Sequence, residues 1–432
     1  MNNNGAKRIN VIGAGLAGSE ACFYLLKKGF EVHLYERRPL VDDHAHHTPL
    51  FGELVCSNSL KSKLLSNASG LQKEEMRQMG SLTMEAAAHN EVPAGNALSV
   101  DRDGFAAEIT AKLKDFPSLH IHYEEVSSFP EGITILATGP LSDGALMENI
   151  STLIGKKSLS FFDASAPIVK KDTIDFSKAY YKSRFSQGDE AYINCPFTKE
   201  EYLAFHHELV NAERALLHDF DTHYFEACLP VEVIASRGAE TLRHGPLKPF
   251  GLSDETHHPY AALQLRQDTA LGDYYNLVGF QTNLTYSEQK RVFSMIPGLE
   301  HAEFVRYGLM HRNSYIDSPR CLNEDLSFKN NPNVFVAGQL SGVEGYVESA
   351  ACGIIAAVNA ERKILGLPFV PVPKNTITGA LISYILNAPE KGFSPMNANW
   401  ALFPNVEKKQ REEAAQQALD SIRKYWESVD GH

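Results

Sequence analysis

The amino-terminal part of the chain alternates short apolar runs with one longer stretch of helical periodicity. Residues Arg8 to Ile12 form an apolar run that predicts a short buried strand. The glycine-rich turn 13–18 follows and opens a helix whose apolar positions recur to about Lys28. Gly29 caps this helix, and a second strand is predicted from Glu31 to Tyr35. The pattern predicts the strand, helix and strand unit of a dinucleotide-binding fold.

The turn between the first strand and the helix carries a GxGxxG motif in the context that this motif requires. Gly13 permits the tight turn, Gly15 lets the backbone approach a pyrophosphate, and Gly18 lets the helix lie close to the strand. Glu36 stands 18 positions after the last glycine, near the spacing of a carboxylate that accepts from ribose hydroxyls. The competing interpretation is a glycine-rich turn that binds no nucleotide. The predicted cofactor-binding residues here are Gly13, Ala14, Gly15, Leu16, Ala17, Gly18 and Glu36.

Two later strands are predicted to return to the same ligand. The first, 133–136, ends in a small-residue turn that contains Gly139. The second, 333–336, leads through Gly338, Gln339 and Gly345 into a small-residue helix predicted over 347–360. The amino end of that helix offers backbone N–H groups and a positive dipole to a phosphate or an electron-rich ring edge.

The dinucleotide-binding elements therefore lie at both ends of the chain, which means that the middle is inserted. A domain that closes so late is more typical of FAD than of a freely exchanging NAD. The predicted fold class is α/β, an FAD-binding Rossmann-like fold of the GR2 type with an inserted α+β domain. We expect the FAD-binding domain to be discontinuous, over 1–184 and 300–432, and the inserted domain to span 185–299 and to contribute to RNA or folate binding.

The middle of the chain has a different pattern. A long polar helix is predicted over 199–220, and a strand pair over 261–266 and 274–279. Beyond about residue 370 the chain is loop-like until a charged amphipathic helix over 407–426.

Composition narrows the class of protein. With 43% hydrophobic and 22% charged residues in 432, the chain matches an ordinary globular protein, and no apolar run approaches the roughly 20 residues of a membrane helix. The amino terminus lacks the pattern of a secretory signal, so we expect a cytoplasmic protein. The formal net charge of -12 argues against a generally basic nucleic-acid-binding surface, although not against a local basic face.

Six scattered cysteines, without a CxxC pair, indicate neither a disulfide framework nor structural zinc. Cys22 and Cys352 lie on small-residue helices and are predicted to be packed. Cys56 stands among Ser57, Asn58 and Ser59, a polar setting that indicates exposure and chemistry.

Cys228 is the second candidate for a reactive thiol, in a loop ended by Pro230. Arg243 and Lys248 are among the cations that can favour its thiolate. A packing role competes for both Cys56 and Cys228. The histidines within 43–47 have no cysteine or carboxylate at a standard ligand spacing, so we expect no metal.

Several motifs together resemble one known family. They are Val11 to Glu20, His46 to Leu60, Tyr224 to Glu232, Leu242 to Pro249, His311 to Ile316 and Ala337 to Tyr346. In these segments, which extend over nearly the whole chain, the sequence resembles the folate- and FAD-dependent tRNA (uracil-5-)-methyltransferase family of the TrmFO type.

The resemblance implies a reaction and its partners. The folate 5,10-methylenetetrahydrofolate would supply a one-carbon unit. Reduced FAD would supply the electrons that turn methylene into methyl, and NADPH or NADH would reduce the flavin again. The usual target in the family is the T-loop uridine of tRNA, while some relatives act on 23S ribosomal RNA.

The resemblance also implies roles for residues. Carbon 5 of uracil becomes nucleophilic after a thiolate adds at carbon 6, which is covalent catalysis. Cys228 is the candidate for that attack and Cys56 for a partner thiol near the flavin, with Cys56 or Glu53 as the base that takes the proton from carbon 5. His311, Arg312 and Asn313 are expected to face the isoalloxazine, where a folate pterin stacks. Arg243 and Lys248 are further candidates for substrate or folate contacts.

Two other functions compete with this one. A flavin oxidoreductase of a small substrate would explain the glycine motifs but not the two loop cysteines. A flavin-binding RNA-binding protein without catalysis would not need Cys228, which is present. The sequence leaves open the choice of RNA, the choice of NADPH or NADH, and the oligomeric state.

Overall fold

The structure is a computed structural model of the 432-residue chain. It describes residues 7–41, 45–155, 159–184, 191–215, 229–389, 393–403 and 406–431. For 159–164 and 310–312 it describes the backbone and not the side chains.

Seventeen strands lie in the described residues, and they are numbered here in chain order. They are β1 Arg8–Ile12, β2 Glu31–Glu36, β3 Ser59–Ser62, β4 Glu91–Val92, β5 Ala97–Val100, β6 Leu119–Tyr123, β7 Thr134–Leu136, β8 Leu159–Ala164, β9 Ile168–Lys170, β10 Tyr180–Tyr181, β11 Tyr192–Phe197, β12 Ala261–Gln267, β13 Tyr274–Leu277, β14 Phe304–Arg306, β15 Met310–Tyr315, β16 Ser327–Phe328 and β17 Asn331–Val336.

Thirteen α-helices lie in the same described residues. They are α1 Leu16–Lys27, α2 Ala68–Gln78, α3 Leu82–His89, α4 Arg102–Lys114, α5 Gly144–Ile154, α6 Lys199–Asn211, α7 Val231–Ser236, α8 Thr241–His244, α9 Tyr286–Phe293, α10 Ser318–Cys321, α11 Tyr346–Leu365, α12 Ile377–Asn387 and α13 Arg411–Asp430.

The first sheet is the nucleotide-binding sheet that the sequence predicts. Its order is β16-β17-β7-β1-β2-β6, and every neighbouring pair from β17 to β6 is parallel. The inner strands are buried because helices cover the sheet, which is the arrangement that parallel strands require. The predicted α/β class and Rossmann-like fold are therefore confirmed.

Helices α1 and α11 pack closely beside this sheet. Cys22 and Cys352, one on each helix, are both buried, as predicted. Gly353 allows the close approach, because a Cβ atom there would lie 2.2 Å from the backbone oxygen of Ala17. The helix predicted over 347–360 extends to Leu365, where Gly366 in the left-handed conformation ends it.

A second, antiparallel part of the fold has its own sheet and its own core. The order is β10-β11-β12-β13-β9-β14, and the predicted strand pair forms β12 and β13. Apolar side chains from this sheet pack with Tyr202 and Phe205 of α6 and Val292 and Phe293 of α9.

The sheet extends beyond the predicted limits of the inserted domain. Strands β9 and β10 lie before residue 185, and β14 lies after residue 299, yet all three pair within the second sheet. We therefore propose that the inserted domain begins near residue 165 and ends near residue 309. Strands of two or three residues carry too little periodicity to be found in the sequence.

Helix α12, Ile377–Asn387, lies in the stretch beyond residue 370 that was predicted to be loop-like, so that prediction is wrong. Two further helices differ in their bounds from the prediction. Helix α6 begins at Lys199 with a capping box from Thr198 and ends at Asn211, earlier than the predicted residue 220. The carboxyl-terminal helix spans Arg411–Asp430, later than the predicted 407–426, because Lys408–Gln410 form a 3-10 turn. Across the described ranges, no helix combines the length and the apolar character needed to cross a bilayer.

Candidate functional site

A pocket opens at the carboxyl edge of the nucleotide-binding sheet. Because β17, β7, β1 and β2 are parallel neighbours, the loops that follow them meet at this edge. The segment that carries Cys56 forms another part of the wall. Predicted residues among those that line the pocket are Gly13, Ala14, Gly15, Leu16, Ala17, Glu36, Glu53, Cys56, Gly139, Asn313, Gly338 and Gln339.

The three glycines of the motif differ in what surrounds them. Gly13 has a φ of +99°, and a Cβ atom there would lie 2.5 Å from the oxygen of Ala137 on β7's turn. A Cβ atom at Gly18 would lie 1.8 Å from the oxygen of Gly13. At Gly15 no protein atom lies within 4 Å of such a Cβ, and Gly15 lines the pocket as the N-cap residue of α1. The open side of the turn thus faces the space where a phosphate group would approach the helix N-terminus.

Glu36 is held as an ionised acceptor at the end of β2. Its Oε2 accepts from the Ala14 amide at 2.8 Å, and its Oε1 accepts from the Arg38 amide at 3.0 Å and from Arg38 Nε at 3.1 Å. Burial opposes ionisation, but the charge of Arg38 and these hydrogen bonds outweigh it and lower the Glu36 pKa. The carboxylate is therefore fixed beside the glycine turn.

Cys56 is tied to Tyr346, the first residue of α11. The Cys56 and Ser57 amides donate to Tyr346 Oη at 2.8 and 3.3 Å, and Cys56 Sγ lies 3.1 Å from the same oxygen. Burial, and after it the neighbouring Cys56, raises the Tyr346 pKa well above its usual value. Tyr346 therefore stays a neutral hydroxyl, which can donate to a thiolate sulfur as well as accept from the two amides.

Two arginines from distant parts of the chain hold the segment around Cys56. Arg102 at the start of α4 donates to the backbone oxygens of Leu54 and Val55 at 2.9 and 3.2 Å. Arg266 of β12 donates to Ser57 Oγ at 2.8 Å and to Asn58 Oδ1 at 3.0 Å. Both guanidinium groups interact electrostatically with Cys56, and such neighbouring cations favour a thiolate.

Glu53 lies on the pocket wall but is fully engaged. Its Oε1 accepts from the His47 amide at 2.7 Å, and its Oε2 accepts from the Thr48 amide at 3.0 Å. Arg38 Nη1 lies 3.6 Å from Oε2, and the Glu53 side chain is 7% exposed. These contacts make Glu53 an organiser of the loop that precedes Cys56.

Four predicted residues of the described ranges stand apart from the pocket. Arg243 lies on α8, where it donates to the Tyr260 oxygen and stacks on the Tyr260 ring at 3.6 Å. Lys248 Nζ lies 5.4 Å from the centre of the Phe250 ring. Gly345 is the N-cap residue of α11, and Gly18 lies behind the turn. Cys228 lies outside the described residues.

His311 and Arg312 are described by their backbone alone, in β15. That strand pairs with β8, and Asn313 at its centre is buried and lines the pocket. The structure therefore brings the strand of the predicted folate residues to the pocket wall through Asn313.

The residues that hold Cys56 are not among the predicted site residues. Tyr346 belongs to a quoted motif, and its place at the amino end of a predicted helix was the available signal. Arg102 and Arg266 had no signal, since they lie in ordinary surroundings 46 and 210 residues from Cys56.

One group of described side chains outside the predicted site has donor atoms close enough to hold a metal ion. Glu31 and His33 of β2 and His120 of β6 have donor atoms within 4.8 Å of one another. His33 bonds to Glu31 at 2.9 Å and to His122 at 2.8 Å, so hydrogen bonds within the sheet face account for this arrangement. Of the histidines within 43–47, His44 lies outside the described residues.

The fold and the pocket define a dinucleotide-binding protein with a second sheet beside the ligand site. The family model described as "Glucose inhibited division protein A" matches residues 8–368. A protein from Listeria monocytogenes named "Methylenetetrahydrofolate--tRNA-(uracil-5-)-methyltransferase TrmFO" is 52% identical to this chain. The alignment covers 98% of this chain and 100% of that protein. The protein of the same name from Lactobacillus gasseri is 54% identical, over 94% of this chain and 93% of its own.

The chain belongs to the TrmFO family within the glucose inhibited division protein A group. A solved structure of Aquifex aeolicus GidA has the same fold, with a TM-score of 0.72 at 16% identity, over 98% of this chain and 74% of that one.

Proposed function

We propose that this protein methylates carbon 5 of a uridine in tRNA, the T-loop uridine, with 5,10-methylenetetrahydrofolate as carbon donor, reduced FAD as electron donor, and NADPH or NADH as reductant of the flavin. The printed name of the relatives supports the tRNA substrate and the folate donor. The observation that carries the proposal is Cys56 on the wall of the dinucleotide pocket, held by Tyr346 and by two arginines. We expect the reaction to take place in the cytoplasm.

The residues of the pocket fit FAD. The open side of Gly15, at the amino end of α1, suits the pyrophosphate, and the ionised Glu36 suits the ribose hydroxyls. Gly139, Gly338 and Gln339 line the rest of the pocket. When bound, the flavin supplies the electrons that turn the transferred methylene into a methyl group. The chain's own task is to hold the reactants and move protons.

Cys228 is proposed as the nucleophile, by the family motif. Its thiolate adds to carbon 6 of the uracil, the sulfur–carbon bond forms, and the electron pair of the C5–C6 double bond moves into an enolate on the O4 side. Carbon 5 then attacks the methylene carbon of the folate donor, and one bond between that carbon and a folate nitrogen breaks, with its electron pair going to the nitrogen. After the proton leaves carbon 5, the remaining carbon–nitrogen bond breaks, so that tetrahydrofolate leaves and a methylene group stays on carbon 5. With the hydride that bound reduced FAD would supply, this methylene becomes a methyl group, the sulfur–carbon bond to Cys228 breaks, and the double bond and the thiolate are restored.

Cys56 is proposed as the group that takes the proton from carbon 5. Arg102 and Arg266 favour its thiolate, and the neutral Tyr346 hydroxyl can donate a hydrogen bond to it. Glu53 suits this role less, because both of its oxygens already accept backbone hydrogen bonds. Asn313, with His311 and Arg312 on the same strand, is proposed to contact the folate, while Arg243 and Lys248 are proposed to contact RNA on the inserted domain.

The test is transfer of labelled carbon from methylenetetrahydrofolate to RNA, with NADPH present. Unmodified tRNA transcript and 23S ribosomal RNA are supplied separately to wild type, Cys228→Ala and Cys56→Ala. Cys321→Ala is the matched control, because Cys321 lies on α10 and does not line the pocket.

Label in tRNA that is lost in both cysteine variants and kept in Cys321→Ala supports the proposal. Label only in ribosomal RNA would keep the mechanism and change the substrate. Absence of label in either RNA, with flavin bound and NADPH consumed, would favour an oxidoreductase of a small substrate and refute the proposal.

A further inference from the structure

A second pocket, of about 350 Å³, borders the segment that carries Cys56. Val55 lines both this pocket and the dinucleotide pocket. The opposite wall comes from β14, the edge strand of the second sheet, and from the turn that follows it. The volume is in the range of about 300–1,000 Å³ that small-molecule sites occupy.

Arg306 of β14 places an uncompensated positive charge in this pocket. Its Nη1 is buried and has no hydrogen-bond partner among the described residues. Burial lowers the Arg306 pKa, and the charge of Arg102 lowers it further. The same two arginines lower the His47 pKa on the pocket wall, after burial. A buried guanidinium donor without a partner costs free energy unless an acceptor arrives from outside.

Two carboxylates, Asp268 and Glu53, partly offset the lowering of the Arg306 pKa, but each forms its own contacts with other groups. Asp268 forms an ion pair with Arg102 at 3.1 Å. Glu53 accepts from the amides of the loop before Cys56 and faces Arg38. Among the described residues, the pocket therefore keeps an excess of positive charge, in a protein whose formal net charge is -12.

A ladder of stacked aromatic rings forms another wall. Tyr307 stacks on Phe304 with 5.8 Å between ring centres, and Tyr286 stacks on Tyr307 with 5.4 Å. Tyr286 ends the ladder and is 57% exposed. An exposed aromatic ring beside a cation is the combination that binds a base together with its phosphate.

We propose that this pocket receives a nucleotide of the RNA substrate, with a phosphate on Arg306 and a base stacked on Tyr286. The inference rests on the proposed function, since it assumes an RNA substrate. A base leaves its stack to reach an active site, and it needs a pocket next to the reacting groups. The dinucleotide pocket would hold FAD and the folate, and we assign the RNA nucleotide to the second pocket because it borders the segment that carries Cys56.

The test compares the binding of tRNA transcript and of tetrahydrofolate to the FAD-loaded full chain. The variants are Arg306→Gln and Tyr286→Ala, the latter at an exposed position where folding is not at risk. We expect each to raise the Kd for tRNA, about fivefold for the phosphate contact and about tenfold for the stacking contact. Arg306→Gln should also reduce the slope of log K against log salt by about one. Tetrahydrofolate binding and flavin content should not change.

Arg291→Gln is the matched control. Arg291 lies on α9, the helix of Tyr286, and does not line the pocket, so the substitution removes one nearby cation and leaves the pocket unchanged. Unchanged tRNA affinity in both variants would overturn the assignment. Weaker tetrahydrofolate binding with unchanged tRNA binding would also overturn the assignment, because it would show that Arg306 binds the folate carboxylates. Label transfer by the wild type, measured in parallel, separates this outcome from failure of the proposed function: a wild type without transfer refutes the function, whatever the affinities are.

Discussion

At the scale of single residues, the Cys56 site depends on hydrogen bonds to one hydroxyl. Tyr346 Oη accepts from two consecutive amides and lies within hydrogen-bond distance of the Cys56 sulfur. One side chain at a helix amino terminus thus fixes both the backbone and the thiol of a loop residue. Phenylalanine has the same shape without the hydroxyl and isolates this contribution.

Tyr346→Phe should lower the rate of label transfer by about tenfold, because the half-buried Cys56 and Ser57 lose the acceptor of their amides and the thiol loses its orientation. We expect FAD to stay bound, which absorbance of the purified protein measures. Tyr384→Phe is the control, since its hydroxyl donates to the Ser394 oxygen near the surface. A Tyr346→Phe variant as fast as wild type would show that this hydroxyl does not position Cys56.

The glycine motif allows a second test at single positions. Gly15 has a φ of -70°, which alanine adopts without strain, and its Cβ would meet only the pocket. Gly15→Ala should therefore keep the thermal unfolding midpoint of the apo protein while the bound flavin fraction falls. Gly18→Ala should lower the unfolding midpoint itself, because its Cβ would collide with the Gly13 oxygen. A Gly15→Ala protein that retains full flavin would argue against a pyrophosphate at this turn.

At the scale of elements, the apolar pattern predicted strands and helices that are long enough to show a clear periodicity. Strand β1 has the predicted bounds, and β12 and β13 form the predicted pair, because each has enough residues for its apolar pattern to be recognised. The short strands β9, β10 and β14 were missed for the opposite reason. In the site, the glycine turn and Cys56 were predicted from residues near one another, whereas Arg102 and Arg266 reach Cys56 only through tertiary folding.

Helices α2 and α12 are joined by one buried carboxyl group whose protonation depends on folding. Glu75 accepts from the Ile377 and Thr378 amides at 2.7 and 2.9 Å, so it caps the amino end of α12. Burial outweighs these hydrogen bonds and raises the Glu75 pKa from 4.5 to about 7. The folded chain therefore binds this proton more tightly than the unfolded chain does.

Between pH 4.5 and 7 the folded state keeps the Glu75 proton and the unfolded state releases it, so this group stabilises the fold at low pH and loses that effect as pH rises. The loss amounts to about 1.4 kcal/mol per pH unit within the window. We expect the free energy of unfolding of wild type, minus that of Glu75→Gln, to fall as pH rises from 5 to 7. Urea titrations at several pH values measure it. A difference that is flat or that rises with pH would contradict the shift.

At the scale of the whole molecule, a buried ion pair links the two sheets beside the candidate site. Arg102 stands beside the nucleotide-binding sheet and Asp268 follows β12 of the second sheet, with exposed fractions of 8% and 6% for their side chains. The same guanidinium donates to the backbone of Leu54 and Val55. Arg102 therefore contributes both to the contact between the sheets and to the placement of Cys56.

Asp268→Asn should lower the free energy of unfolding by about 3–5 kcal/mol, because Arg102 keeps a buried charge without its partner. Asp172→Asn breaks an exposed pair with Lys170 and should leave the free energy of unfolding nearly unchanged. The double variant Arg102→Met, Asp268→Leu should regain part of the stability, since it buries no charge. It should still lose label transfer, because the carbonyls before Cys56 lose their donor. Denaturant titration measures the stability, and a separate assay of label transfer measures the activity. A double variant that is stable and fully active would show that this ion pair joins the sheets without positioning Cys56.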